Sequence, residues 1–64
     1  MKNLTKIRKA LGMTQAELSK RSGLTPAAIS QIEKGQREPS LKSILAIMKV
    51  LPVSFERLVG LSHD

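Results

Sequence analysis

Glycine and proline divide this chain into runs too short for long helices. Gly12, Gly23 and Gly35 stop three runs, and Pro52 and Gly60 stop two more. Each element is left about ten residues, the short end of the ordinary helix range. Isolated helices of under about 12 residues are marginal in water, so such pieces persist only by packing apolar faces on one another. A hydrophobic fraction of 41% that includes a single aromatic residue, Phe55, suits helices of Leu, Ile, Val, Met and Ala better than a sandwich of strands. Sixty-four residues make one domain, 1–64, with a thin core.

The starts of the elements are as clearly marked as their ends. Leu4, Ile7 and Leu11 recur at helical spacing before Gly12. Thr14 with Glu17 forms a capping box, flanked by a Met13–Leu18 hydrophobic staple, and predicts a second helix from Gln15 to Arg21 or Ser22. Thr25 can cap a third helix with Pro26 at its first position, and Leu24 and Ile29 repeat the staple spacing. Ile29 and Ile32 face inward. The link Ser22–Leu24 is so short that helices two and three must cross sharply. Ser40 can cap helix four, whose Leu41, Ile44, Leu45, Ile47, Met48 and Leu51 form a stripe wide enough to predict a place in the middle of the core. A fifth helix is expected from Ser54 to Val59, stapled by Val53 and Leu58, and then a frayed tail, 61–64. The expected architecture is all-α, a compact five-helix bundle.

Charge narrows the partner. Eleven Lys and Arg against five Asp and Glu give +6. Residues 1–42 hold nine basic and three acidic side chains, whereas residues 43–64 balance. A surplus confined to the first two-thirds of the chain points to a polyanion bound there. Enzyme chemistry is poorly supplied. There is no cysteine, the one histidine is His63 near the C-terminus, and no glycine-rich phosphate loop or metal-spaced cluster occurs. Neither catalysis, cofactor, metal nor small-molecule substrate is expected. Met1 to Ala10 has no signal-peptide pattern, and no apolar run approaches the roughly 20 residues that span a bilayer. A cytoplasmic protein with no membrane partner is the expectation.

The stretch 15–34 combines a capped helix, a tight glycine turn and a second helix. It stands among the words Leu11-Gly12-Met13-Thr14-Gln15-Ala16-Glu17-Leu18, Ser22-Gly23-Leu24, Ile29-Ser30-Gln31-Ile32-Glu33-Lys34-Gly35 and Pro39-Ser40-Leu41. In these blocks, in this order, the chain resembles the helix-turn-helix domain of the phage Cro/repressor group, the XRE family, over roughly Leu4 to Val59. The resemblance implies a bacterial or phage-encoded, nucleoid-associated transcriptional regulator of the lambda-repressor-like type. Such a protein binds double-stranded DNA, chiefly as a dimeric repressor on a pseudo-palindromic operator.

An α-helix fits the major groove, and the start of the third helix would face the bases there. Pro26, Ala27, Ser30 and Gln31 are the expected base contacts. Gln31 can pair with adenine N6 and N7, while Pro26 and Ala27 can touch only a thymine methyl. Gln15, Thr25, Lys34, Arg37, Ser40 and Lys42 are the expected phosphate contacts. The family's pattern also implies an ion pair, Arg8 with Glu33, and a small residue at Ser19, whose hydroxyl can bond back to its own helix. Val53, Phe55, Leu58 and Leu61 are the expected dimer interface, with Leu58 set in the core and Phe55 shared between core and interface. Three roles stay open within the family: phage or mobile-element repressor, restriction–modification controller, and antitoxin. A protein-interaction module that has lost DNA binding is a rival of another class, and the concentration of basic charge argues against it.

Overall fold

Three of the four helices begin at a hydroxyl that accepts a hydrogen bond from the amide three residues on. Thr14 Oγ1 accepts from the Glu17 amide at 3.0 Å, Thr25 Oγ1 from Ala28 at 3.1 Å and Ser40 Oγ from Ser43 at 3.1 Å. The Glu17 carboxylate returns the contact by accepting from the Thr14 amide at 3.2 Å, which completes the capping box. Each cap satisfies a donor that helix geometry would leave without a partner, worth about 1 kcal/mol. The computed structural model describes residues 1–54, 57 and 58. Its helices are α1 (Lys2–Ala10), α2 (Gln15–Ser22), α3 (Pro26–Glu33) and α4 (Leu41–Val50), with no strand among the described residues.

The turn between α2 and α3 requires its glycine. Gly23 closes α2 with φ at 80°, in the left-handed region, while its amide donates to the Ser19 carbonyl at 2.9 Å. Any L side chain there would be strained. The Ser19 hydroxyl does not bond back to its own helix as expected but donates to the carbonyl of Leu24. A buried Ser19 thereby stitches the end of the turn to α2. A carbonyl in a tight turn that no helix ladder can use is the better acceptor.

Apolar side chains from every element meet at the centre. Leu4 and Ile7 come from α1, Leu18 from α2, Ile29 and Ile32 from α3, and Ile44 and Ile47 from α4, joined by Leu51 and Leu58. α2 packs against both α3 and α4, and α1 packs against α3. Full burial of a Leu or Ile contributes about 1.5–3 kcal/mol each, so these few side chains hold the helices that cannot stand alone.

Two expectations need correction. There are four helices among the described residues, not five. Of the expected fifth, Ser54 to Val59, residues 55, 56 and 59 lie outside the described residues, as does the tail 61–64, while 57 and 58 have helical backbone. Of that stretch, the Leu58 amide donates to the Ser54 carbonyl at 3.1 Å. α4 is also not enclosed on all sides: Leu41 is 67% exposed and Leu45 50%, while Ile44 and Ile47 are buried. The core of so small a domain is thin, so the 44–47–51 edge of the stripe is buried, Met48 packs against it half-buried, and Leu41 and Leu45 are left outside.

Candidate nucleic-acid interface

Residues Ala28, Ile29, Ile32 and Glu33 turn inward from α3 and are buried. The 3.6-residue period then puts Pro26, Ala27, Ser30, Gln31 and Lys34 on the opposite side. All are exposed except Ser30, which is half-buried. Eight residues at about 1.5 Å each make α3 a rod of about 12 Å, and a major groove about 12 Å wide admits such a helix. All four expected base-contact residues thus share one open face. It carries no charge before Lys34 at its end.

The segment after α3 folds back onto it. The Gln31 carbonyl accepts from the amides of Gln36 and Arg37 at 2.9 and 3.3 Å. Lys34, Arg37 and Lys42 all have exposed side chains on this segment and the first turn of α4. Ser40 is committed locally: its hydroxyl accepts from the Ser43 amide and donates to Ser43 Oγ at 3.1 Å. Thr25 is exposed, with its oxygen already accepting from Ala28.

The back of α3 is fixed by a buried polar node. Arg8 and Glu33 are 7% and 8% exposed, and Arg8 Nε and Nη2 donate to the two Glu33 carboxylate oxygens at 2.6 and 3.1 Å. Arg8 Nη1 reaches the Met13 carbonyl at 2.8 Å, ahead of α2. Gln15 Nε2 donates to Glu33 Oε1 at 2.8 Å. One carboxylate therefore joins α1, the first turn of α2 and the last turn of α3. Burial pushes the Glu33 carboxyl up, but hydrogen bonds from Arg8, Gln15 and Thr5, with the Arg8 charge, outweigh it and hold it below its ordinary value. The Arg8 guanidinium is raised, chiefly by its hydrogen bonds to Glu33 against the cost of burial. No buried side-chain polar atom among the described residues lacks a partner.

Gln15 thus sits half-buried, turned toward Glu33, and not on an open rim. Its second Nε2 proton, and the Gln15 and Ala16 amides that begin α2 without an i−4 partner, remain as donors. The Gln15–Glu33 link was not foreseen, and neither were two long-range ties. The α-amino group of Met1 donates to the Ile32 carbonyl at 2.8 Å, and Asn3 Nδ2 to the Arg57 carbonyl at 2.8 Å. No local spacing signals such contacts.

The expected dimer residues divide differently. Leu58 is fully buried in the core, where it was expected to close the bundle, and a side chain with no exposure in the chain has no area to give a partner. Val53 packs half-buried against the same core. Phe55 and Leu61 lie outside the described residues. Among the described residues the exposed large apolar side chains are Leu11, Leu41 and Leu45, none of them expected there.

Short capped helices, a left-handed glycine between α2 and α3, and an open outer face on α3 define a helix-turn-helix unit. A family model described as helix-turn-helix matches residues 4–58, and the chain belongs to that family, of the XRE type. It is 42% identical to the HTH-type transcriptional regulator MJ0272 of Methanocaldococcus jannaschii over 65 aligned positions, covering all of this chain and 98% of that protein. Over 44 residues it is 52% identical to the HTH-type regulator y4dL of Sinorhizobium fredii, covering 69% of this chain and spanning only 22% of that longer protein. Among solved structures it resembles the wild-type restriction-modification controller protein C.Esp1396I, with a TM-score of 0.78, 43% identity and coverage of 97% and 87% of the two chains. It also resembles the N-terminal DNA-binding domain of SinR from Bacillus subtilis, with a TM-score of 0.83, 27% identity and coverage of 95% and 90%.

Proposed function

We propose that the chain is a sequence-specific transcriptional regulator that seats α3 in the major groove of double-stranded DNA. On this reading it is a dimeric repressor on a pseudo-palindromic operator, acting in the cytoplasm by binding and not by catalysis. The observation that carries the reading is the two-sided character of α3. Its inner side is locked by Ile29, Ile32 and the Arg8–Glu33 node, while Pro26, Ala27, Ser30 and Gln31 face outward. Gln31 offers a bidentate partner for adenine, and Lys34, Arg37 and Lys42 supply cations for the flanking phosphates. Gln15 approaches phosphate through its remaining side-chain proton and the amides opening α2. A single module of this size has little area for affinity, which favours a twofold pair reading half-sites about 34 Å apart.

Selection of bound sites from a pool of random duplexes tests the reading. The expected product is a symmetric motif with half-sites one turn apart. Failure to retain any duplex at low ionic strength would refute DNA binding, and an asymmetric half-length motif would refute the dimer. A narrower reading, control of a restriction–modification operon, is favoured by the likeness to C.Esp1396I. It requires the selected motif to lie before a methyltransferase–endonuclease gene pair.

A further inference from the structure

The tip of α3 is chemically one-sided. Thr25 caps the helix with its oxygen accepting from Ala28, and the next two side chains, a pyrrolidine ring and a methyl, offer no hydrogen-bonding atom. Pro26 and Ala27 are both exposed, and it is Ala28, not Ala27, that fills the core. Side-chain hydrogen-bonding groups on this face begin at Ser30 and Gln31, one turn further along. In the major groove, base pairs differ in their donors and acceptors and in one apolar group, the methyl on C5 of thymine. Side chains made only of carbon and hydrogen can distinguish bases there only through that group.

We propose that Pro26 and Ala27 are specificity-determining residues that read the C5-methyl group of a pyrimidine, whether thymine or 5-methylcytosine. The inference rests on the DNA-binding reading and adds the base chemistry recognised at the start of α3. One helical turn is about 5.4 Å, against about 3.4 Å per base pair. The methyl-bearing pyrimidine therefore lies within about two base pairs of the base that Gln31 contacts. Cytosine methylation at that step strengthens binding, which makes the protein sensitive to the methylation state of its site.

The test uses the unaltered protein and the duplex enriched from the random pool, resynthesised with one change at a time. Replacing thymine by deoxyuridine removes only the methyl. It should weaken binding about fourfold at one or two positions per half-site, the value of one buried methyl-sized group. At those positions a 5-methylcytosine·guanine pair should bind about fourfold tighter than an unmethylated one. Ala27→Gly should bring the thymine-to-deoxyuridine ratio at one of them close to one, measured where circular dichroism shows the variant folded. Binding of the enriched duplex that stays within twofold for deoxyuridine at every thymine overturns the inference and leaves the DNA-binding reading intact. Absence of binding to any duplex at low salt overturns both.

Discussion

Replacing Glu33 by alanine removes the acceptor on which three nitrogens converge: Arg8 Nε, Arg8 Nη2 and Gln15 Nε2. Arg8 would be left 7% exposed with its charge unpaired and one bond to the Met13 carbonyl. Breaking a buried pair by deleting one partner costs about 3–5 kcal/mol, far more than the 0–1 kcal/mol of an exposed pair. A domain of 64 residues has a total stability of about 3–10 kcal/mol. Each kcal/mol moves the melting temperature of a domain this size by about 4–8 °C, so Glu33→Ala should melt at least about 12 °C lower. Thermal unfolding followed by circular dichroism, with urea titration for the free energy, measures it. The paired replacement Arg8→Met with Glu33→Leu removes both charges and should fall within about 2 kcal/mol of the parent, on either side. A Glu33→Ala cost below about 1 kcal/mol would show that water reaches the node and that the burial argument is wrong.

The same carboxylate makes stability depend on pH. Its folded pKa is lowered, so its contribution is complete above the unfolded carboxylate value, about 4.3, and is lost as pH falls through the folded value. Urea midpoints between pH 7 and pH 3 should drop more steeply for the parent than for Glu33→Gln. Gln31→Ala should weaken the selected site by about 1–3 kcal/mol while leaving random duplex nearly unchanged, as read by competition binding. Lys34→Ala and Arg37→Ala should each weaken all duplexes alike and reduce the slope of log affinity against log salt by about 0.9; an unchanged slope removes that residue from the phosphate contacts. Leu58→Ala should cost about 2–5 kcal/mol in unfolding, as a core deletion does, at every protein concentration. A cost that grows with concentration would return Leu58 to a subunit interface.

Features legible in the sequence act over three or four residues. Thr14 with Glu17, Thr25 with Pro26 and Ser40 announce helix starts because a cap is made by neighbours in the chain. The open face of α3 was readable for the same reason, since Ile29 and Ile32 orient it by period alone. The Arg8–Glu33 pair was reachable only through family resemblance: 25 positions separate the two, and each reads in isolation as a surface charge. The turn of Gln15 toward Glu33 and the reach of Ser19 to Leu24 depend on how α2 meets α3 in space. Leu41 and Leu45 misled because apolar periodicity reports the width of a stripe but not whether the bundle has a neighbour to cover all of it. The capping residues therefore told more about the fold than the most hydrophobic segment did.

An eight-residue helix such as α3 has no independent existence, because nucleating it costs more than its few internal bonds return. Its outer side is thus displayed only while the entire core stands. Anything that grips that side clamps the whole domain against thermal loss, by an amount that grows with the logarithm of its concentration. A copy that begins to unravel, in turn, does not keep a weakened hold; it lets go completely.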